Sequence, residues 1–547
     1  MHDYLKELIQ QALRKIHPDL ELPDIIIEKP RTPEHGDAAT NVALTLANKL
    51  KDNPRKIAQE IADSMDTHTG YLKSVEVAGP GFINFRFSDS WLFTKLAEVR
   101  QAGKSFGKTR LFENRNILVE FVSANPTGPL TVGHGRNAVL GDTISRVLEW
   151  AGANVQREYY FNNAGRQMRI LAESVRTRYL QSLGIKREFP EEGYEGAYIT
   201  DIALKIRDEH GDHLAGDKDL DLFRETAEKN IFEDIQRTLN RMNIFMDTFF
   251  NENLLYEDGS INKVLEKLRK QNLIYEQEDA TWFRTTSFGK EKDTVLIKSS
   301  GEPTYRLPDI AYHINKLERG FDLVIDVFGA DHIATYPDVV SAVEACGYDR
   351  DKIDVIVYQF VTIVKDGKPF KMSTRKANFV TLDELMDEAG ADVTRFFFLM
   401  RSPGTHLEFD IEEAKQAGEK NPVYYLQYAH ARIQSIMKKV RKTYDFETRA
   451  NRNPDFSLLS GNAETTMIKR ILEFPDVINQ TAIHKEPHKV INYLNELATS
   501  FHKFYHDCRI LGENDDLALA RTELLTVTST VLSNGLKILG ISAPDKM

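Results

Sequence analysis

Two strand–helix–strand patterns, far apart in the chain, constrain the fold more than any other feature. The first opens with the apolar run Ile117-Leu-Val-Glu-Phe-Val122, passes through a polar Gly/Pro loop and continues as a helical pattern over 135–150 that Gly152 stops. An apolar run over 154–160 completes it. A crossover of this length makes the two strands parallel and the connection right-handed. The second unit reads as a strand over 323–328, a helix over 337–346 and a strand over 355–359. The two halves predict one Rossmann-like parallel sheet, split by a charged, mostly helical insertion at about 165–300.

The flanks read differently. Residues 1–106 predict a small α+β unit, with a helix over 4–16, a strand near 25–28, helices over 41–50 and 54–65, and period-two alternation over 74–87. Beyond Asn421 the chain is helical to the end, and Ile491, Leu494, Leu497, Phe501, Phe504 and Cys508 keep the spacing of one apolar helix face. The expected division is therefore 1–106, 107–420 and 421–547. A chain of 547 residues has room for it.

Composition narrows the function classes. With 41% hydrophobic and 28% charged residues, and no apolar run near the ~20 residues of a membrane span, the expectation is a protein with no membrane partner. The opening MHDYLKELIQQALRKI alternates charged and apolar residues, unlike a secretory leader, so a cytoplasmic location is expected. Cys346 and Cys508 are too few and too far apart for a disulfide framework or a cysteine zinc site. No zinc and no other protein-held metal is expected. A net charge of −11 excludes an evenly basic surface but leaves room for a local one. Lys438, Lys439, Arg441 and Lys442, following Arg432, could form such a face; a solvated helix end is the simpler explanation of the cluster on its own.

The segment Ser123-Ala-Asn-Pro-Thr-Gly-Pro-Leu-Thr-Val-Gly-His134 joins the first strand to its helix, at the carboxyl edge where such sheets bind ligands. Free N–H groups and the dipole at a helix start favour phosphate, and Gly133 lets a sugar or base approach the backbone. His134 would donate to a phosphate oxygen, although a helix-capping histidine and ordinary turn glycines at Gly133 and Gly135 account for the same residues. Gly133-His-Gly-Arg-Asn-Ala138 also fits the dinucleotide fingerprint G-x-G-x-x-A, with Glu158 as a ribose ligand. That reading is rejected, because its first glycine should follow the strand directly, and here a long loop intervenes. A second constellation, Lys368-Pro-Phe-Lys-Met-Ser-Thr-Arg-Lys376, follows an Asp366-Gly367 hairpin turn. Lys371, Arg375 and Lys376 could neutralise charge on a polyphosphate.

These segments resemble the HIGH and KMSKS signatures of class I aminoacyl-tRNA synthetases, as Thr131-Val-Gly-His134 and Lys371-Met-Ser-Thr-Arg375. Further stretches are similar to the arginyl-tRNA synthetase family: Val119-Glu-Phe-Val-Ser-Ala-Asn-Pro-Thr-Gly-Pro-Leu130, Tyr160-Phe-Asn-Asn-Ala-Gly165, Thr32-Pro-Glu-His-Gly-Asp37, Val77-Ala-Gly-Pro-Gly-Phe-Ile-Asn84, Asn421-Pro-Val-Tyr-Tyr-Leu-Gln-Tyr-Ala-His-Ala-Arg432 and the terminal Ala543-Pro-Asp-Lys-Met547. The resemblance spans essentially the whole chain. It implies a tRNA-binding N-terminal domain, a class I catalytic domain and a helical anticodon-binding domain. It implies attachment of L-arginine to its tRNA with ATP and Mg2+, through an arginyl-adenylate, by a monomer.

It also assigns residues. Thr131, His134, Lys371, Arg375 and Lys376 are implied to be catalytic. Gly133, His134, Gly135, Gly329, Asp331, His332, Lys371, Met372 and Ser373 are implied to hold ATP. Glu120, Ser123, Asn125, Tyr305 and Asp309 are implied to hold arginine. A guanidinium wants a carboxylate and an aromatic face, and Tyr305-Arg-Leu-Pro-Asp309 offers both. Pro308 also reads as the first residue of a helix, where Asp309 would merely stabilise the helix start. Tyr424, Tyr428 and Arg432 are candidates for stacking on unpaired tRNA bases, with helix packing as the alternative.

Two positions depart from the signatures: Thr131 stands for the first histidine of HIGH and Thr374 for the second lysine of KMSKS. Threonine hydrogen-bonds phosphate without charge. Some arginyl enzymes supply a lysine just before HIGH, but that place is Gly128 here. A cysteinyl synthetase would need more thiols than this chain has, whereas a non-catalytic tRNA- or arginine-binding relative is compatible with both threonines.

Overall fold

The two units meet in one sheet. In the computed structural model, which describes residues 1–30, 32–67, 70–216, 219–365, 367–369, 380–416, 418, 421–444 and 453–547, five parallel strands run in the order Ile353–Tyr358, Leu323–Gly329, Asn116–Glu120, Asn154–Phe161 and Thr248–Asn251. The opening strands of the two halves are neighbours, with Leu323 opposite Ile117 and Asp326 opposite Glu120. Strand order reverses between them, so a crevice opens at their carboxyl ends. The two middle strands, Leu323–Gly329 and Asn116–Glu120, are largely buried on both faces, as the unbroken run Ile117-Leu-Val119 requires.

The helix after the first strand is Val132–Trp150, three residues earlier than the pattern over 135–150 suggests. Gly133, His134 and Gly135 therefore lie inside its first turn. It packs closely on the sheet: a Cβ on Gly141 would come within 2.2 Å of the Phe121 ring. The segment at 165–300 holds the helices Gly165–Ser182, Ala197–His210 and Asp221–Arg241. It is not only helical. Thr248–Asn251 forms the sheet's fifth strand, and Ile274–Gln277, Ala280–Phe283 and Thr294–Ile297 form a small antiparallel sheet. Four-residue strands are too short to show a period, which is why the sequence pattern missed them.

The N-terminal unit is a four-stranded antiparallel sheet, ordered Ile27–Glu28, Ala38–Thr40, Phe82–Phe87, Leu72–Ala78, beneath the helices His2–Ile16, Val42–Leu50 and Pro54–Ser64. The C-terminal unit consists of Pro422–Thr443, Asn462–Leu472, Phe474–His484, His488–Asp507 and Asp515–Ile538. Ile491, Leu494, Leu497, Phe501 and Phe504 are buried there, and Cys508 is half-buried. Among the described residues no helix is long and apolar enough to cross a membrane.

One buried side chain ties three parts together. Arg395, on Ala391–Leu399, donates to Asp142 of the Val132–Trp150 helix at 2.6 Å, to the Met242 carbonyl at 2.7 Å and to the Leu539 carbonyl at 2.8 Å. Arg146 also pairs with Asp142, at 2.8 Å, and donates to the Asn243 and Lys537 carbonyls. Two guanidinium groups thus cap the carboxyl ends of Asp221–Arg241 and Asp515–Ile538, where helix dipoles favour cations.

Candidate active site

The backbone turns sharply where the first strand ends. Val122 and Ser123 have φ of 68° and 45°, a left-handed conformation that is costly for a β-branched residue. Asn137 holds the turn: its Oδ1 accepts from the Val122 N–H at 2.6 Å and its Nδ2 donates to the Val327 carbonyl at 2.8 Å. The first strand and its neighbour are thereby clamped at the switch point. The turn brings Ser123 Oγ onto Glu120 Oε1 at 2.8 Å, and the same oxygen accepts from the Tyr160 N–H at 3.2 Å. Asn125 Oδ1 accepts from the Asn162 N–H at 3.1 Å. Glu120, Ser123 and Asn125 are thus gathered at one carboxyl edge.

A second carboxylate arrives from the edge strand. Glu252, one residue beyond Thr248–Asn251, is 6% exposed and accepts from Tyr160 Oη at 2.6 Å and Asn162 Nδ2 at 2.7 Å. The Tyr160 ring stacks on Tyr312 at 4.4 Å and on Phe250 at 6.2 Å. Glu252, Tyr160 and Asn162 carry no role in the sequence reading. The resemblance touched Tyr160 and Asn162 only as a motif, and Glu252 stands in no motif that the sequence reading used.

The third carboxylate is Asp309. Its helix is Arg306–Glu318, with Tyr305 at the cap, so Pro308 is the third helical residue rather than the first. Among the described residues no donor reaches the Asp309 carboxyl. Burial pushes it up to about 7, with Glu120 and Glu252 adding to the rise and His313 and Lys316 opposing it. Tyr305 is 75% exposed, at the rim rather than in a closed pocket. The arrangement leaves a poorly solvated acid, flanked by two others and bordered by aromatic rings, with no cation of its own. A buried carboxyl of this kind ionises when a cation is brought to it.

The other group of candidates lies at the helix start. Thr131 is the N-cap, and its N–H donates to His134 Nδ1 at 3.2 Å. His134 is therefore a capping histidine. Burial lowers its pKa to about 4, so the ring is neutral and, with Nδ1 accepting, carries its proton on Nε2. That leaves one N–H for a ligand. A Cβ on Gly133 would meet only Thr131 Oγ1, at 3.8 Å, so the protein does not fill the space above it. Gly135 differs: a Cβ there would lie 2.6 Å from Leu382, and packing alone accounts for the glycine. Gly329 ends its strand beside the exposed Asp331 and His332, whose ring stacks on Phe328 at 5.0 Å.

Lys371, Met372, Ser373, Arg375 and Lys376, with Thr374, lie outside the described residues. Their flanks are fixed to the first signature. The strand Val361–Lys365 pairs with Lys368–Pro369 and Leu407–Asp410. Buried Arg136 donates to the Gln359, Ser402 and Thr405 carbonyls at 2.5–3.1 Å at the base of this sheet. On the other side Thr131 bridges Thr381, and the Leu382 N–H donates to the Leu130 carbonyl at 2.8 Å.

Of the other candidates, Tyr428 and Arg432 pack together, Arg432 lying 4.7 Å over the Tyr505 ring. Tyr425 meets His502 at 5.2 Å, and Tyr424 packs at the edge of the core. Lys438, Lys439, Arg441 and Lys442 are exposed on the last turns of Pro422–Thr443.

Known proteins share both the sequence and the fold. Residues 3–87 match the arginyl tRNA synthetase N terminal domain, 96–398 the catalytic domain of class I (R) tRNA synthetases, and 426–547 the DALR anticodon binding domain. An arginine–tRNA ligase of Salinibacter ruber is 52% identical over the whole of both chains. One of Desulfotalea psychrophila is 49% identical over 95% of this chain and 94% of its own. The arginyl-tRNA synthetase structure of Thermus thermophilus, 23% identical, covers all of both chains with a TM-score of 0.79, a likeness of fold. With three matched domains in order and full-length relatives at this identity, the chain belongs to the arginyl-tRNA synthetase family of class I aminoacyl-tRNA synthetases.

Proposed function

We propose that the chain attaches L-arginine to its tRNA in two steps. The arginine carboxylate attacks the α-phosphate of ATP, forming arginyl-adenylate and releasing pyrophosphate. A terminal ribose hydroxyl of the tRNA then attacks the acyl carbon and AMP leaves. The observation that carries the arginine reading is Asp309: a carboxyl with no donor of its own among the described residues, raised to about 7 beside Glu120 and Glu252. The guanidinium supplies the missing charge and a fork of donors. Glu120, Ser123 and Asn125 border the same amino acid, and Tyr305 covers it from the rim.

ATP is assigned to the helix start. His134 Nε2 donates to a phosphate oxygen, the sugar and base pass over Gly133, and Gly135, Gly329, Asp331 and His332 border the nucleotide. Thr131 sets the His134 tautomer and caps the helix, a task for which a histidine at that position is not required. Lys371, Arg375 and Lys376 neutralise charge at the α-phosphate, with Met372 and Ser373 beside them. No side chain acts as a nucleophile; alignment and fixed charge lower the barrier. Among the described residues no cluster of three or more His, Cys, Asp or Glu could hold a metal ion, so magnesium is assigned to the ATP phosphates.

The parts are assigned as 1–106 for the tRNA body, 107–420 for catalysis and 421–547 for the anticodon, with Tyr424, Tyr428 and Arg432 as contacts. The chain works as a cytoplasmic monomer and activates arginine only with tRNA bound. The test is arginine-dependent pyrophosphate exchange with and without tRNA. Exchange that requires tRNA supports the scheme; equal exchange without it removes that last element.

A further inference from the structure

Three acids stand in one row across the sheet. Asp326 pairs in register with Glu120, and Glu120 with Glu158, so three carboxylates on adjacent strands point to the same face. They are 0%, 4% and 0% exposed. A row of like charges inside a protein is costly unless each is paired. The partners come from the last turns of Arg306–Glu318 and its cap, at intervals of three. His313 Nε2 lies 2.8 Å from Asp326 Oδ2, and Arg319 grips Glu158 with two bonds of 2.6 Å. Between them Lys316, fully buried, donates to Glu120 Oε2 and Asp326 Oδ1, each at 2.5 Å, with Nζ 4.1 Å from the Tyr312 ring centre.

Lys316 is thus shared by two acids, one of which, Glu120, borders the arginine pocket. Ser123 takes Glu120 Oε1 and Lys316 takes Oε2. The same helix carries Asp309 two turns earlier. We propose that Lys316 is a positioning residue for arginine recognition, fixing Glu120 against Ser123 and seating the helix so that Asp309 is the acid left for the guanidinium. It touches no substrate. This inference rests on the arginine pocket proposed above.

The surroundings support it. Burial alone would lower the Lys316 pKa, but Asp326 and Glu120 together raise it above the usual lysine value, so the ammonium is a resident charge. A neutral side chain of similar length removes the bond that aims Glu120. The pocket then holds two acids competing for one guanidinium, in an altered orientation.

The test uses the full chain. For Lys316→Met, the KM for arginine is expected to rise about tenfold or more, with the KM for ATP changing less than about twofold; Lys316→Arg, which keeps the charge and can bridge two carboxylates, is expected to recover most of the loss. Equal rises in both KM values, or no rise in either, would overturn the proposal. Should Lys316→Met not fold, Lys316→Met with Asp326→Asn conserves the buried charge, and a normal KM for arginine in that variant would equally overturn it. Asp309→Asn, run in parallel, separates the two readings. If it leaves the KM for arginine unchanged, the pocket itself is wrong; if it raises that KM while Lys316→Met does not, only the role of Lys316 fails.

Discussion

At the residue scale, the proposed chemistry rests on a few groups held in unusual electrostatic states. Asp309 carries the guanidinium reading, and its substitution by asparagine should raise the KM for arginine by a factor equivalent to about 2–4 kcal/mol while leaving the KM for ATP nearly unchanged. Its pH behaviour has a definite sign. The carboxyl is protonated below about 7 and then offers no charge, so the KM for arginine should climb as pH falls through 7, by up to about tenfold per unit. A flat KM for arginine between pH 8 and 6 contradicts this. The same shift acts on the empty enzyme: between the unfolded carboxyl value and about 7 the native state holds the extra proton, so this residue's contribution to stability declines as pH rises across that window. His134 titrates the other way, lowered to about 4 by burial, and stays a neutral donor across the working range. His134→Ala should cost about 10²–10³ in turnover if its Nε2 proton meets the transferring phosphate, measured by single-turnover adenylation.

At the element scale, two features bring these residues together. The turn at Val122 and Ser123 stores backbone strain and is held by Asn137. The Val132–Trp150 helix packs against Phe121 so closely that Gly141 cannot carry a side chain; Gly141→Val should destabilise the chain by about 1–3 kcal/mol in urea unfolding. Much of this was legible in the sequence. The strand run from Ile117 and the glycines and His134 at the helix start marked, from pattern, the helix start proposed above for phosphate, with a capping histidine and turn glycines as the other reading. The arginine half was legible only through resemblance, because Asp309 beside Pro308 suits a helix start as well as a pocket. Glu252 was not legible at all. Its strand is four residues long, and its placement depends on register with Phe161 across the sheet, which no local pattern carries.

At the scale of the whole molecule, the catalytic helix is wired to both the insertion and the C-terminal bundle. Arg395 and Arg146 meet on Asp142 while capping two helices from other parts of the chain. Removing Arg395 takes one of the two guanidinium partners from the buried Asp142 and leaves the Met242 and Leu539 carbonyls without their donor. Arg395→Met should lower stability by about 3–5 kcal/mol and split urea unfolding into separate transitions for the bundle and the remainder. A single transition at the original midpoint would show that the three parts are not coupled through this residue. The connection also gives the C-terminal bundle a physical path to the helix that bears His134, through Asp142 and the two arginines paired with it.

The most direct test of the account is aminoacylation of bulk tRNA with ATP and magnesium, comparing labelled arginine with lysine, cysteine and glutamate, for the native chain and for Asp309→Asn. Charging with arginine alone is expected, and its loss at low arginine concentration in the variant. Charging with another amino acid, tRNA binding without charging, or an Asp309→Asn enzyme as active as the native one at low arginine would contradict it.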